Sequence, residues 1–341
     1  MMKINKIIAI CKSKLVRIYC SSGSMKKYYN LVELCNSCED IQEYRKKRKK
    51  VLSYAHRVAD RPFEKEKERE NKEIWSAINK GKLSESYKNE VDYIVSKNDL
   101  VLYPYSFSEK YEVSYEQVIS ENDGTCYVFH NGKKLYFPDE NHERVAEKYC
   151  QLIMEQDKDS PHRYFCDNIP ECDVFVDVGS AEGIMSLEAI DKAKEIYLLE
   201  CSESWIMALE KTFSFCSDKI HIIRKYAGYY DDENTITLDS LLEKYSNQRI
   251  VVKMDIEGME MEALQGCKNV MRKNVCTFSC TTYHTNDAYE RISTFFEKQN
   301  YNTESTSNFM LFIHGNMTLG NGQYQRMKFP YFRHGVIRAT K

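Results

Sequence analysis

The chain has 341 residues, of which 42% are hydrophobic and 12% aromatic, so a packed globular core is predicted and extended disorder is excluded. The net charge is −2, and the 13 cysteines are odd in number and irregularly spaced, which favours reduced thiols in a cytoplasmic protein over a disulfide-rich secreted one. Cys35 and Cys38 form a single CxxC pair, and without a second pair the sequence does not favour structural zinc.

Residues 1–98 are predicted to form a helical, basic N-terminal region, because the segment is polar and poor in Gly and Pro. Residues 1–60 hold 14 Lys or Arg against 5 Asp or Glu, and the densest run is "YRKKRKK", Tyr44 to Lys50. The apolar runs are short and interrupted by charges, which argues against a membrane-spanning helix. A solvated helix face is the favoured interpretation, and contact with an anionic membrane surface is the alternative. No nucleic-acid-binding module accompanies the basic run.

Residues 99–165 are predicted to form a small α+β segment. "LVLYPYSF", Leu100 to Phe107, has the composition of a short strand. "GTCYVFHNGKKLYFP" predicts a hairpin through Asn131-Gly132, the preferred two-residue turn. The segment "ENHERVAEKYCQLIMEQ" then shows the apolar spacing of a helix.

Residues 166–315 alternate between predicted strands and helices of about ten to fifteen residues. The strands are "DVFVDVG", "EIYLLE", "KIHIIR", "RIVVKMD" and "VCTFSCT", with "FMLFIH" as a final β stretch. This alternation predicts a doubly wound, mainly parallel, Rossmann-like α/β sheet with helices on both faces. A ligand is then expected at the carboxyl ends of the strands. Residues 316–341 are assigned to a C-terminal extension.

The first strand–turn–helix, residues 177–183, carries a nucleotide-binding signal, Asp-x-Gly-x-x-x-Gly. It lacks the Gly-x-Gly-x-x-Gly of dinucleotide sites, and the acidic Asp177 and Glu182 repel phosphate but suit a cationic amino-acid group. Glu200 ends the next strand, where it can accept hydrogen bonds from both ribose hydroxyls. A sugar, a positive charge and no phosphate indicate S-adenosylmethionine. The predicted donor-binding residues are Asp177, Gly179, Ser180, Ala181, Glu182, Gly183, Glu200, Tyr226, Ala227 and Asp255.

Four carboxylates follow the fourth predicted strand of this series: Asp255, Glu257, Glu260 and Glu262. Methyltransferases that act on base or amide nitrogen commonly place Asn/Asp-Pro-Pro-Tyr/Phe here, whereas this chain has carboxylates without a stacking aromatic, which suits a hydroxyl. Asp255 and Glu257 are interpreted as the functional pair, and Lys253 is a candidate to pair with them. Glu260 and Glu262 fall in the first helical turns, where the helix dipole stabilises each by roughly 0.3–1 kcal/mol, so they are interpreted as structural.

The motifs together resemble a known family. "VVKMDIEGMEMEALQG" resembles the Lys-x-Asp-x-Glu-Gly-x-Glu-x-x-x-Leu-x-Gly signature of the FkbM-type S-adenosylmethionine-dependent methyltransferases, and "ITLDSLL" and "YHTNDAYERI" follow the order used in that family. "EQDKDSPHRY", "ALEKTF" and "PYFRHGVIRATK" resemble a bacterial branch associated with surface-glycan loci. The resemblance covers about residues 125–340. One departure is Glu182, where many relatives have Asn.

The resemblance implies O-methylation, often of a sugar or polyketide hydroxyl. A general base for the hydroxyl can be Asp255, His284 or His162, and an imidazole starts with the more suitable pKa. An alternative role for Asp255 and Glu257 is to bind Mg²⁺, which prefers oxygen ligands. The expected acceptor is a sugar, nucleotide sugar or glycan, with residues 1–60 as a candidate contact to a membrane or glycan-assembly complex.

Three functions therefore compete at this point. A sugar or glycan O-methyltransferase leads, and an O-methyltransferase for a lipid or natural-product hydroxyl is the first alternative. A non-catalytic α/β module in a glycan-assembly complex is the second, although such a scaffold has no need of the charge pattern of Asp177, Glu200 and Asp255. The missing Gly-x-Gly-x-x-Gly disfavours an oxidoreductase.

Overall fold

The computed structural model describes residues 68–83, 85–138, 141–312 and 328–341. The chain divides into two compact units, residues 1–84 with 313–331 and residues 85–312 with 332–341. In the first unit, residues 68–79 form helix α1. The basic run at residues 44–50 lies outside the described residues. Among the residues that are described, no helix combines the length and apolar character needed to cross a bilayer.

The described part of the second unit contains a central sheet, three smaller sheets and eight helices. The helices are α2 (Lys88–Lys97), α3 (His142–Glu155), α4 (Ile184–Ala189), α5 (Glu203–Thr212), α6 (Leu238–Leu241), α7 (Glu260–Gln265), α8 (Lys268–Lys273) and α9 (Ala288–Lys298). The strands are β1 (Ile119–Ser120), β2 (Cys126–His130), β3 (Lys133–Phe137), β4 (Cys172–Val178), β5 (Ala193–Leu199), β6 (Ile220–Ile223), β7 (Tyr226–Ala227), β8 (Thr235–Ile236), β9 (Arg249–Met254), β10 (Val275–Thr281), β11 (Asn302–Ser305), β12 (Phe309–Leu311), β13 (Phe332–His334) and β14 (Val336–Thr340).

The central sheet has seven strands in the order β11-β14-β10-β9-β4-β5-β6. From β10 to β6 all neighbours are parallel, whereas β14 is antiparallel to both β10 and β11. The strand order reverses beside β4, so the carboxyl ends of β4 and β9 open the crevice in which ligands of such sheets bind. The predicted doubly wound, mainly parallel sheet is confirmed.

Side chains of β4 alternate between two hydrophobic layers, one on each face of the sheet. Val174 and Val176 pack in one layer with residues of α7, α8 and α9. Phe175 packs in the other layer with residues of α3, α4 and α5. All three are fully buried, which explains why Val174, Phe175 and Val176 form an apolar run in the middle of β4. The two layers confirm helices on both faces.

The predicted hairpin is formed by β2 and β3, which pair antiparallel from Cys126 with Phe137 to His130 with Lys133. Asn131 and Gly132 connect them with φ angles of 49° and 77°. Positive φ at both central positions is the requirement of a type I′ turn, so the Asn-Gly prediction is confirmed.

Two predicted β segments differ from the structure. Within Leu100–Phe107 there is no strand, and Ser106–Lys110 is a 3₁₀ turn instead; Tyr103 and Phe107 are buried in an aromatic cluster, which outweighs the β propensity of the run. Phe309–Leu311 is a strand, but it pairs with Phe332–His334 in a two-stranded sheet and not with the central sheet. The position beside β10 is taken by β14.

Candidate functional site

The glycine turn after β4 lies directly against the loop that follows β9. Gly179 has a φ of 77°, and a Cβ atom added to it would lie 1.9 Å from the carbonyl oxygen of Asp255. Only glycine therefore fits this position. Ala181 and Gly183 also have positive φ, at 46° and 77°, as the turn leads into α4. The two motifs identified in the sequence therefore meet at one edge of the sheet.

Glu200 directly follows the neighbouring strand β5, and its carboxylate is hydrogen-bonded to the glycine turn. One carboxylate oxygen accepts the backbone N–H groups of Cys201 and Ser202 at 2.8 and 2.7 Å. The other accepts the backbone N–H of Ala181 at 3.0 Å. Ser180 is buried and donates to the carbonyl of Asp177 at 2.8 Å. The predicted donor-binding residues at the ends of β4 and β5 are thus hydrogen-bonded to one another.

A buried ion pair lies beneath the turn. Lys253 Nζ is 3.1 Å from Asp177 Oδ1, and it donates to the carbonyl oxygen of Gly179 at 2.7 Å. Burial lowers the pKa of Lys253, but the charges of Asp177 and Asp255 outweigh it and raise that pKa. The expected pairing of Lys253 with Asp255 or Glu257 is therefore corrected: Lys253 and Asp177 are direct partners in the parallel register of β4 and β9, which places their side chains side by side.

Glu182 is buried in the same turn, with 6% of its surface exposed. Burial raises the pKa of its carboxyl to about 7, although the charges of Lys253 and Lys148 act in the opposite direction. The group is therefore poised to lose a proton near neutral pH. The other predicted donor-binding residues, Tyr226 and Ala227, form the short strand β7, where Tyr226 is exposed and Ala227 is buried.

Asp255, directly after β9, is surrounded by tyrosine hydroxyls and imidazoles from two segments of the chain. The hydroxyl of Tyr164 donates to Oδ2 at 2.6 Å, and that of Tyr283 does so at 3.4 Å. His162 Nε2 lies 3.7 Å from Oδ2, and His284 Nε2 lies 3.4 Å from Oδ1. Burial raises the pKa of Asp255, but the two imidazoles and the nearby ammonium group outweigh it and hold that pKa well below its usual range. Asp255 is consequently an anion and a weak base.

His284 follows β10 and is held by Glu260. Its Nδ1 lies 2.9 Å from Glu260 Oε1, and both residues are almost fully buried. Burial lowers the pKa of His284, but the charges of Glu260, Asp255 and Glu257 outweigh it and raise the pKa to about 9. His284 thus has one nitrogen fixed by Glu260 and the other directed at Asp255, a carboxylate–imidazole arrangement found in general bases.

Asp255, Glu260 and His284 offer ligand atoms within 4.8 Å of one another, close enough to hold a metal ion. The donor set does not fit a metal, because Glu260 Oε1 already accepts the N–H groups of Ile256 and Gly258 at 3.1 and 3.2 Å. The same oxygen also faces His284 Nδ1 and a threonine hydroxyl. A metal bound to this oxygen would displace these bonds, so the cluster of Asp255, Glu260 and His284 fits a hydrogen-bonded base better than a metal site. The Mg²⁺ site suggested for Asp255 and Glu257 stays an expectation.

Of the candidate catalytic residues, Asp255, His284 and His162 are brought together in a buried cluster. Glu257 lies at its edge, with 70% of its side chain exposed and its Oε2 3.9 Å from His284 Nε2. Tyr164 is a site residue that no sequence motif indicates, and Glu260 belongs to the site although its place in a first helical turn predicts only a structural role. Glu260 does begin α7, as expected. Its burial and its contact with His284 follow from the position of β10, which periodicity does not reveal.

Residues 200–303 match the family model described as "Methyltransferase FkbM domain". Among solved structures, the methyltransferase FkbM from Methylobacillus flagellatus is similar, with 13% identity, a TM-score of 0.40, and coverage of 74% of this chain and 62% of that one. This chain thus spans less than two thirds of that protein's length.

Two further solved structures show the same level of similarity. M. jannaschii TYW2 in complex with AdoMet has 13% identity, a TM-score of 0.35, and coverage of 65% and 87% of the two chains. The precorrin-6y C5,15-methyltransferase from Geobacter metallireducens has 16% identity, a TM-score of 0.32, and coverage of 51% and 82%. No curated protein matches the chain. The family-model match over residues 200–303 confirms the resemblance of the motifs to the FkbM-type methyltransferases.

Proposed function

We propose that the protein is an S-adenosylmethionine-dependent O-methyltransferase that methylates a hydroxyl group of a sugar or glycan. The observation that carries this proposal is the Glu260–His284 pair, which places a carboxylate-supported imidazole beside Asp255 and the glycine turn. An alcohol must lose its proton during attack, and a positioned imidazole contributes about 10²–10⁴-fold to such a reaction.

The residues around the glycine turn fit the donor. The missing side chain of Gly179 lets the turn lie directly against the backbone of Asp255, so the proposed donor site and the proposed acceptor site adjoin. Glu200, which links β5 to this turn, is the residue proposed to accept hydrogen bonds from the ribose. Asp177 and Glu182 supply the acidic surroundings that suit a cationic amino-acid group. When bound, S-adenosylmethionine supplies an electrophilic methyl group on a positively charged sulfur.

The acceptor side is formed by polar groups with distinct tasks. Asp255, held ionised, can accept a hydrogen bond from the acceptor hydroxyl and fix its direction. In its neutral form, which a pKa of about 9 favours only at alkaline pH, His284 can take the hydroxyl proton on Nε2, while Nδ1–H donates to Glu260. Tyr164 and Tyr283 are buried, and their hydroxyls donate to Asp255 and hold it in place. The choice of a sugar as the acceptor rests on the resemblance of the motifs to the glycan-associated branch of the family.

The test begins with calorimetric titration of the purified protein with S-adenosylmethionine, S-adenosylhomocysteine and NADH, with and without Mg²⁺. We expect saturable binding of the two adenosyl compounds alone. Transfer of a radiolabelled methyl group to nucleotide sugars, lipid-linked oligosaccharides and polysaccharides is then compared for the wild type and His284→Ala. Absence of adenosyl binding, or transfer that His284→Ala leaves unchanged, would contradict the proposal.

A further inference from the structure

Residues 160–164 supply two of the groups that face Asp255, although they belong to no helix or strand of the sheet. His162 and Tyr164 lie in this loop between α3 and β4. Tyr164 donates to Asp255 at 2.6 Å, and His162 Nε2 lies 3.0 Å from the hydroxyl of Tyr283 and 3.7 Å from Asp255. Something outside the loop must fix its backbone for these side chains to meet Asp255.

Arg338, in the C-terminal strand β14, provides this support. Its Nε donates to the carbonyl of Tyr164 at 2.9 Å, and its Nη2 donates to the carbonyl of Arg163 at 2.8 Å. Ser279, the direct partner of Arg338 on β10, donates to the same Tyr164 carbonyl at 2.7 Å. Two neighbouring strands thus present donors to one short stretch of loop backbone, and a guanidinium group suits this task because its donors lie in a fixed fork.

Two further contacts hold the start of the loop. A Cβ atom added to Gly335 would lie 2.1 Å from the carbonyl oxygen of Pro161, so the loop approaches the backbone of the C-terminal segment as closely as glycine allows. The hydroxyl of Thr306 donates to the same carbonyl at 2.9 Å. The loop is therefore fixed at both ends by elements that follow the catalytic motif in the chain.

We propose that Arg338 is a positioning residue for methyl transfer, which holds the backbone of Arg163 and Tyr164 so that Tyr164 and His162 face Asp255. The inference rests on the proposed function for its catalytic consequence. None of the contacts of Arg338 involves the glycine turn or Glu200, which are proposed to hold the donor. Loss of Arg338 is therefore expected to separate the two steps, since binding of S-adenosylmethionine persists while turnover falls.

The guanidinium group offers its own matched control. Its Nη1 faces the surface, where it donates to Cys166 Sγ at 2.8 Å and lies 3.4 Å from the exposed carboxylate of Glu304, which also accepts from Cys166. Arg338→Met removes all hydrogen bonds of the guanidinium group but keeps the apolar stem, whereas Glu304→Gln removes the charge of the ion pair and leaves the bonds to the loop backbone in place. Arg338→Lys keeps the charge but loses the fork, so it should give an intermediate effect.

The experiment measures three quantities in the full chain. For Arg338→Met we expect S-adenosylmethionine affinity within about twofold of the wild type, and turnover on the acceptor identified by the screen about 10²-fold lower, the scale of a displacement of about 1 Å. Glu304→Gln should match the wild type. The third quantity is the titration of the His162 imidazole by NMR, which needs neither donor nor acceptor.

In the wild type, burial lowers the pKa of His162, but Glu155 and Asp255 outweigh it and raise that pKa above its ordinary value. Arg338→Met should move it back toward the ordinary value. Unchanged titration and turnover in Arg338→Met, or an equal loss in Glu304→Gln, would overturn the proposal. If near-ultraviolet circular dichroism shows that Arg338→Met is unfolded, the His162 titration and the turnover of Arg338→Lys replace those of Arg338→Met as the test. Failure of the wild type to methylate any acceptor would count against the proposed function alone, because the His162 titration still tests the positioning.

Discussion

Replacing Glu182 with Gln should stabilise the protein at alkaline pH and leave it unchanged at acid pH. The native carboxyl is buried and its pKa is raised from 4.5 to about 7. Between these two values the unfolded chain loses its proton while the folded chain retains it. Ionisation therefore favours the unfolded state, and the stability of the wild type falls as the pH rises through this window. Glutamine keeps the shape of the neutral acid and has no proton to lose.

The size of the effect follows from the shift. A difference of one pKa unit corresponds to about 1.4 kcal/mol, so the change from 4.5 to about 7 destabilises the wild type by about 3 kcal/mol above pH 8. At pH 5 most of this difference has not yet developed, and the expected gain from Glu182→Gln is below about 1 kcal/mol. The charge of a carboxylate at pH 8 is thus retained at a cost in stability, which is consistent with a role in binding a cation.

Urea denaturation followed by circular dichroism measures the free energy of unfolding of variant and wild type at pH 5 and pH 8.5. Subtracting the wild-type value from the variant value at each pH removes the contribution of all other titrating groups. Glu182→Asp serves as the control, because it keeps the ionisable group. If the free energies of unfolding of Glu182→Gln and wild type differ by the same amount at both pH values, the fold does not raise the pKa of this carboxyl. Calorimetry on the same proteins should show weaker S-adenosylmethionine binding by Glu182→Gln at pH 8.5.

Three further substitutions test the site. Glu260→Gln should lower the pKa of His284 from about 9 toward ~6.5; because only a neutral imidazole accepts a proton, the rise of turnover with pH should move to lower pH, and an unmoved pH–rate profile would exclude His284 as the base. Lys253→Met removes the cation that pairs with the buried carboxylate of Asp177, so the free energy of unfolding in urea titrations should fall by about 3–5 kcal/mol. An unchanged free energy of unfolding would show that the ion pair is not needed for stability. Gly179→Ala should abolish S-adenosylmethionine binding in calorimetry, because its Cβ would lie 1.9 Å from a carbonyl oxygen; wild-type affinity would show that the turn can rearrange.

The parallel part of the central sheet could be predicted because each of its strands is a short apolar segment that can be identified from its own residues. β4 is almost wholly buried and is followed by a glycine turn and a helix. The residues "DVFVDVG" alone therefore predict a buried strand that ends in a turn. The hairpin at Asn131-Gly132 is equally local, since the turn residues alone determine its geometry. These elements depend on neighbours within a few residues.

The placement of β14 could not be predicted in the same way. Val336–Thr340 is a short strand whose partner on the sheet, β10, ends 54 residues before it begins. The alternation of apolar and polar residues in β14 fits pairing with β10 and pairing with a strand nearer in the chain, such as β12, equally well. Tyr164 was missed for the same reason, because its role depends on Arg338 and not on the residues beside it.

The four carboxylates after β9 show why the site needed the structure. They occur within eight residues, yet their surroundings differ. Asp255 is ringed by hydroxyl and imidazole donors, Glu260 is buried beneath His284, and Glu257 projects into solvent with 70% of its side chain exposed. The helix dipole that the sequence suggested for Glu260 operates on any acidic residue in a first turn. What makes Glu260 different is that the segment after β10 places the imidazole of His284 beside it, so a residue in the first turn of a helix also fixes one nitrogen of the proposed base.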